Sequence, residues 1–326
     1  MVDLSTSGRR AIETLNTRRR WGRALHPNVR SMLLMVFAMG VFVLNDTLTK
    51  TVSARLETGQ IIVIRGVICT IIMLPIALSL YSVQRIFTCY SRALLVRNLA
   101  EMGAVIIFLS ALFQLPIANV TAILQVLPLA MTAAAAVVLK EHVGWRRWTA
   151  AGVGLVGVLF IIRPGTADFS WWYLAVLFSV ILITARDLAT RFIAPSTPTV
   201  VVTLLTAICV TGAGLMLSAY EALTLPTTAS AWVVPELGDL GRLTLAAILV
   251  LVGYATLIEA WRTGEISATA PFRYSVVLWA ILFGYLLLGE VPKFWTLFGS
   301  AIVVAAGLYT FMRERKRANE EPASSK

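Results

Sequence analysis

Residues 116–145, PIANVTAILQVLPLAMTAAAAVVLKEHVGW, and residues 265–294, EISATAPFRYSVVLWAILFGYLLLGEVPKF, decide how this chain is read. In each, a small-residue entry leads through a proline-bearing apolar run to Leu, Glu and an aromatic. These are Leu139, Glu141 and Trp145 in the first stretch and Leu288, Glu290 and Phe294 in the second. Self-similarity at a long fixed offset marks a chain built from two related halves. Each apolar run is also long enough to cross a bilayer, which takes about 20 residues at about 1.5 Å per residue.

Working outward, the same kind of run recurs along almost the whole chain. The 326 residues are 58% hydrophobic and 14% charged, with a mean hydropathy of +0.80. Those shares lie outside the range of a water-soluble domain. Ten spans are predicted, at residues 31–50, 59–81, 93–113, 116–139, 147–163, 171–192, 198–219, 242–262, 266–288 and 294–312. The expected fold is therefore an all-α membrane protein of ten transmembrane helices. A basic tail (1–30) precedes a first repeat (31–163), and a second repeat (171–312) precedes a short tail (313–326). The longest expected connection is Ala219 to Gly241, which carries Pro226, Pro235 and three acids.

The formal charge of +11 does not indicate nucleic acid, because the basic residues sit in tails and short loops rather than on one folded face. Seven arginines precede the first span, and Arg313, Arg315, Lys316 and Arg317 follow the last. Cytoplasmic segments retain Lys and Arg, so both termini are expected inside a bacterial cytoplasmic membrane. The alternate loops agree: those predicted inside hold Arg85, Arg92, Arg97, Lys140, Arg146, Arg147, Arg186, Arg191 and Arg262. Those predicted outside hold only Lys50, Arg55, Arg163, Arg242 and Lys293.

Five spans per half is an odd number, so equivalent helices cross in opposite directions. Such inverted repeats place a substrate site near the midplane, between the halves, and serve alternating access.

These residues resemble the drug/metabolite transporter superfamily, specifically its EamA-type members with two five-helix repeats. The resemblance rests on Pro128, on Lys140-Glu141 and Gly289-Glu290 at the ends of helices four and nine, and on Gly152, Gly157 and Gly307. The segments NDTLTK, QVLPLAMTA, GWRRWTAAGVG and PFRYS are also similar to bacterial members that carry riboflavin, S-adenosylmethionine and other metabolites. The resemblance implies a transporter and not an enzyme, with a small-molecule substrate, no catalytic residue and no cofactor.

Ionisable groups inside hydrocarbon cost about 2.5 to 3.5 kcal/mol each and need a partner or a polar cavity. Arg273, two residues after Pro271, reads as a clamp for a carboxylate, a phosphate or an electron-rich ring; an interhelix salt bridge or a snorkelling side chain is the alternative. Arg65 and Asp46 lie at comparable depth, so a pair that locks two helices or gates a path is expected. Glu101 follows Arg97 by one turn, which gives either a local pair or a proton-coupling acid. Glu259 is expected to pair with Arg262. Thr121, Gln125 and Pro128 share one face of helix four; with Asn119 they either line a cavity or join helices. Tyr274 and Trp279 complete the proposed substrate-binding set with Arg273, Arg65, Gln125 and Asn119, while Asp46 and Glu101 are assigned to coupling or gating. Pro75, Pro128 and Pro271 are expected to kink their helices.

Other signals are set aside. Gly152, Gly154 and Gly157 spell GxGxxG inside an apolar helix with no preceding strand, so helix packing is the reading. Cys69, Cys89 and Cys209 are scattered and, like His26 and His142, show no metal-ligand spacing. No metal site is expected. The basic stretch from Arg9 to Leu25 either lies on the anionic inner leaflet or is an unstructured topogenic tail. Beyond the substrate, membrane lipids are the expected partners. A coupling ion would be a proton or sodium, and the chain would act as a monomer or homodimer. A lipid-modifying enzyme and a non-transporting subunit are the competing readings, and the first lacks a convergent catalytic set.

Overall fold

The computed structural model describes residues 27–82, 91–138, 140, 145–194, 196–224, 232–263 and 269–320. The basic stretch Arg9 to Leu25, together with Arg85, Cys89, Glu141 and His142, lies outside them. Among the described residues the chain is helical and contains no strand. The helices are α1 (Pro27–Val52), α2 (Thr58–Leu80), α3 (Arg92–Gln114), α4 (Ile117–Leu124 and Leu127–Val138) and α5 (Trp145–Ile162). The second half contributes α6 (Trp172–Thr190), α7 (Thr199–Thr224), α8 (Leu237–Thr263), α9 (a 3-10 turn Ala270–Ser275 and a helix Val276–Leu288) and α10 (Phe294–Glu320). Eight of these are long and apolar enough to span a membrane, and Trp148–Ile162 and Phe294–Tyr309 are shorter apolar helices. The chain is a multi-pass membrane protein. The connection expected from Ala219 to Gly241 is shortened at both ends, because α7 runs on to Thr224 and α8 begins at Leu237.

The packing repeats itself across the two halves. α1 packs on α8 as α6 packs on α3, and α1 meets α9 as α6 meets α4; α2 pairs with α7 and α5 with α10. Replacing each helix by the one five places away leaves this pattern unchanged. Close approach is bought by small residues: a Cβ at Gly299 would lie 2.5 Å from the Gly157 carbonyl, so only glycine lets α5 and α10 touch there.

Both α4 and α9 are broken, at positions that match in the repeat. In α4, Gln125 and Val126 donate to the carbonyls of Ala122 and Ile123 three residues back (3.2 and 3.0 Å). The N–H that Pro128 lacks leaves the Leu124 carbonyl without its helical donor. In α9, Pro271 opens a 3-10 turn that ends at Ser275. Residue 125 plus the repeat offset is 274, so the interruptions correspond. The side chains of Thr121, Gln125 and Pro128 consequently do not form the single continuous helical face expected of them. Pro75, by contrast, lies inside the unbroken helix α2.

We call the end of the bundle where α1 begins the terminal end, and the other the opposite end. At the opposite end Lys50 Nζ pairs with Glu290 Oε1 (2.6 Å) and also donates to the Leu115 carbonyl, while Glu290 Oε2 accepts the Ile117 amide (2.7 Å). Gly289 ends α9 in the left-handed conformation (φ 66°) and delivers Glu290 to this junction. Arg55 adds pairs to Glu236 (2.5 Å) and Asp239 (3.2 Å), and Asp168 joins Arg163 and Lys293 (2.5 Å each).

Candidate functional site

The spans hold four guanidinium groups and three carboxylates in one electrostatically connected set: Arg65, Arg97, Arg186 and Arg273 against Asp46, Glu101 and Asp187. Tyr254 of α8 lies at their junction, within electrostatic reach of all four arginines. It is held edge-on against Phe42 (5.1 Å) yet remains 47% exposed.

Two tiers of charge flank that tyrosine. Toward the opposite end, Asn45 Nδ2 donates to Asp46 Oδ1 (2.8 Å) and Asn45 Oδ1 accepts from Arg65 (2.9 Å). The expected Asp46–Arg65 pair is therefore indirect, relayed by a neutral amide. Toward the terminal end, Arg186 donates to Glu101 Oε2 and to Asp187 Oδ1, each at 2.8 Å. Arg97 turns instead to Asn98 Oδ1 (3.1 Å) and Thr206 Oγ1 (2.5 Å), so the expected Arg97–Glu101 pair gives way to a cross-half pair between α3 and α6. Glu259 is engaged by Arg30 (3.1 Å); the Arg262 side chain lies outside the description.

Arg273 is different from the other three arginines. It makes no hydrogen bond or ion pair with another described residue, and it is exposed. Its depth follows from its neighbours. Thr269 bonds Ser31 (2.7 Å), and Trp279 packs on Gly40 and donates to the Val36 carbonyl (2.9 Å). Arg273 thus sits between the levels of Ser31 and Gly40 in α1, inside the span. An exposed, unpaired guanidinium at membrane depth is tolerated where it meets a polar space.

The remaining predicted residues divide between packing and site. Asn119 is fully engaged, with Nδ2 on Tyr173 Oη (2.7 Å) and Oδ1 accepting from Thr296 (2.8 Å), and it ties α4 to α6 and α10. Trp279 stacks on Phe283 (5.4 Å) in the α1–α9 contact. Tyr274 packs its ring end against Gly307 of α10. Gln125, 6% exposed at the α4 break, keeps an Nε2 without a partner, as does Ser275 Oγ at the α9 break. Ile117 touches Gly284, and α4 and α9 are antiparallel. Eight residues along each, about 12 Å, Gln125 therefore lies at about the depth of Val276, the residue after Ser275. Orphaned buried donors at two matched breaks are what discontinuous spanning helices present to a ligand.

Arg186, which the charge bias along the sequence assigns only to the inner side, and Asp187, which no sequence feature singles out, are the residues added to the site. The signal was available, because a carboxylate as deep as Glu101 requires a cation from another helix. No group of three or more metal-binding side chains occurs among the described residues.

Residues 29–163 match the EamA-like transporter family. That stretch, the first five helices, is similar to EamA-type transporters. Over almost its whole length the chain is similar to the S-adenosylmethionine uptake transporter of Rickettsia bellii, at 23% identity across 85% of this chain and 91% of that protein. The riboflavin transporter of Rhizobium johnstonii is 27% identical over 69% of this chain and 71% of its own. The pseudopaline exporter of Pseudomonas aeruginosa is 23% identical over 84% and 93%. A solved crystal structure shares the fold, with a TM-score of 0.60 at 15% identity over 88% of this chain and 98% of that one. These relatives are named as transporters of small molecules.

Proposed function

We propose that the chain is a secondary transporter that moves a small organic metabolite carrying a carboxylate or phosphate, by alternating access between residues 31–163 and 171–312. The observation that carries this reading is Arg273, a guanidinium exposed within the span and without a hydrogen-bond or ion-pair partner among the described residues. Guanidinium stays charged and offers a planar fork of donors, which suits an anionic group that must lose water on entry. Gln125 and Ser275 at the helix breaks supply further polar groups, and the exposed Tyr254 supplies an aromatic surface. The terminal end, with its flanking arginines, faces the cytoplasm of a bacterium, and the ionic links at the opposite end close the outer side. The relatives' cargoes, S-adenosylmethionine, riboflavin and pseudopaline, support a polar organic solute of this size.

The test is uptake into proteoliposomes of purified full-length protein, with S-adenosylmethionine, which bears a carboxylate, as the probe, riboflavin, which bears neither carboxylate nor phosphate, as the comparison, and proton or sodium gradients imposed. Flux of S-adenosylmethionine is expected, with Arg273→Ala reducing it at least tenfold while the variant still inserts; flux of riboflavin alone contradicts the reading. Wild-type flux in Arg273→Ala removes that residue from the site. Absence of flux under every gradient counts against this cargo class.

A further inference from the structure

A second internal repeat lies beside the first. Residues 45–50, Asn-Asp-Thr-Leu-Thr-Lys, recur as residues 186–191, Arg-Asp-Leu-Ala-Thr-Arg, with Asp46 matched to Asp187, Thr49 to Thr190 and Lys50 to Arg191. Both stretches occupy the closing turns of the first helix of each half, α1 and α6, so the inverted fold sets them at opposite ends of the bundle. At the position just before each aspartate the charge differs: where α6 has Arg186, α1 has Asn45.

That exchange gives the two matched carboxylates different environments. Asp187 is held by Nε and Nη2 of Arg186, both 2.8 Å from Oδ1. Asp46 receives only the Asn45 amide (2.8 Å) and forms no ion pair among the described residues, because Arg65 spends its Nη2 on Asn45 Oδ1 (2.9 Å). The cation within electrostatic reach of it is Arg65 of α2, which is in turn within reach of Cys69 one turn further on and of Tyr254 of α8; Lys50, one turn along α1, is committed to Glu290. From α9, the segment Val276–Leu288 carries no charged side chain. Asp46 is partly accessible, whereas Asn45 is buried at 3% exposure.

We infer that Asp46 is a proton-binding site of the transport cycle, and that its repeat mate Asp187 is not. A proton on Oδ2 leaves the Asn45 N–H bonded to Oδ1, so protonation of Asp46 breaks no hydrogen bond present in the structure. Protonating Asp187 or Glu101 would discard charge-assisted bonds to Arg186. Neutralising Asp46 also removes the anion near Arg65 and changes what the Asn45 relay holds between α1 and α2. That change couples proton arrival to helix position. The inference builds on the transport reading but concerns a different side chain from the substrate's Arg273.

The experiment is an infrared titration of the carboxylic-acid band in the full-length protein reconstituted in lipid, which needs no substrate. Wild type is expected to gain one protonated carboxyl, set apart from the solvent-exposed acids, as pH falls. Asp46→Asn should lose that band, Asp187→Asn should keep it, and Asn45→Arg, which copies α6 onto α1, should push it to distinctly lower pH. Comparing elution and thermal stability of the variants shows that each is folded. A wild type without such a band, or a band that survives in Asp46→Asn or is unmoved in Asn45→Arg, overturns the inference. That failure leaves the flux assay untouched, and absent flux with the titration intact removes the transport reading alone.

Discussion

The tier around Asp46 and the tier around Asp187 descend from one repeated segment and have been settled in opposite ways. At the terminal tier a single guanidinium holds two carboxylates at 2.8 Å each, one on its own helix and one on α3. At the other tier an amide stands in its place and hands a neutral bond to each side. In hydrocarbon a paired charge is fixed and a half-satisfied one is responsive, because removing its charge costs few contacts. The terminal tier thus reads as a lock between α3 and α6, and the other as the adjustable one.

The comparison breaks most visibly at Arg186. Arg186→Met strands Glu101 and Asp187 in the span, and a loss of about 3 to 5 kcal/mol is expected for a buried pair left with one partner. Thermal unfolding in detergent measures it, and a near-neutral result would show that the lock is not structural. Arg65→Met removes one hydrogen bond to an amide and should cost only about 1 to 2 kcal/mol. Equal losses at the two positions would erase the distinction between tiers. Lys50→Met, which leaves Glu290 with the Ile117 amide alone, is expected to destabilise by about 1 to 2 kcal/mol, since the pair is partly exposed at 12% and 22%. It should also raise access of a water-soluble thiol reagent to a cysteine placed near Leu115.

The smallest effect is at the surface. Hydrogen bonding from Lys293, and the charges of Lys293 and Arg163, hold the Asp168 carboxyl below its ordinary value of 3.8. A depressed acid stabilises the folded state fully above that ordinary value and loses the contribution as pH falls through the depressed one. Asp168→Asn should therefore lower the melting temperature slightly at neutral pH and flatten its fall in acid. An unchanged acid limb would show that this network contributes nothing measurable.

Much of the architecture was legible because hydrocarbon imposes it. Twenty-residue apolar runs have few alternatives, and the doubled proline-bearing segment announced two halves. The sites of helix interruption were half legible. Pro128 and Pro271 coincide with breaks and Pro75 does not, since a missing donor can be absorbed by local adjustment and only the surrounding packing decides. The pairing of charges was not legible. Reading along one helix joined Arg97 to Glu101, whereas this deep carboxylate found its cation on another helix, at Arg186, and Glu259, expected to pair along its own helix, also meets Arg30 of α1. Asn119 and Trp279 looked like lining for a similar reason: a polar or amphipathic residue in a span serves packing and ligand equally until its partners are known.

The central claim is that an anionic group of a small solute meets Arg273 inside the membrane. It is tested most directly by loading proteoliposomes from a bacterial metabolite extract and comparing their contents by mass spectrometry for the wild type, Arg273→Ala and protein-free vesicles. At least one carboxylate- or phosphate-bearing metabolite should be enriched by the wild type and not by the variant. Enrichment that is equal in the two proteins, or confined to solutes without a negative group, would contradict it.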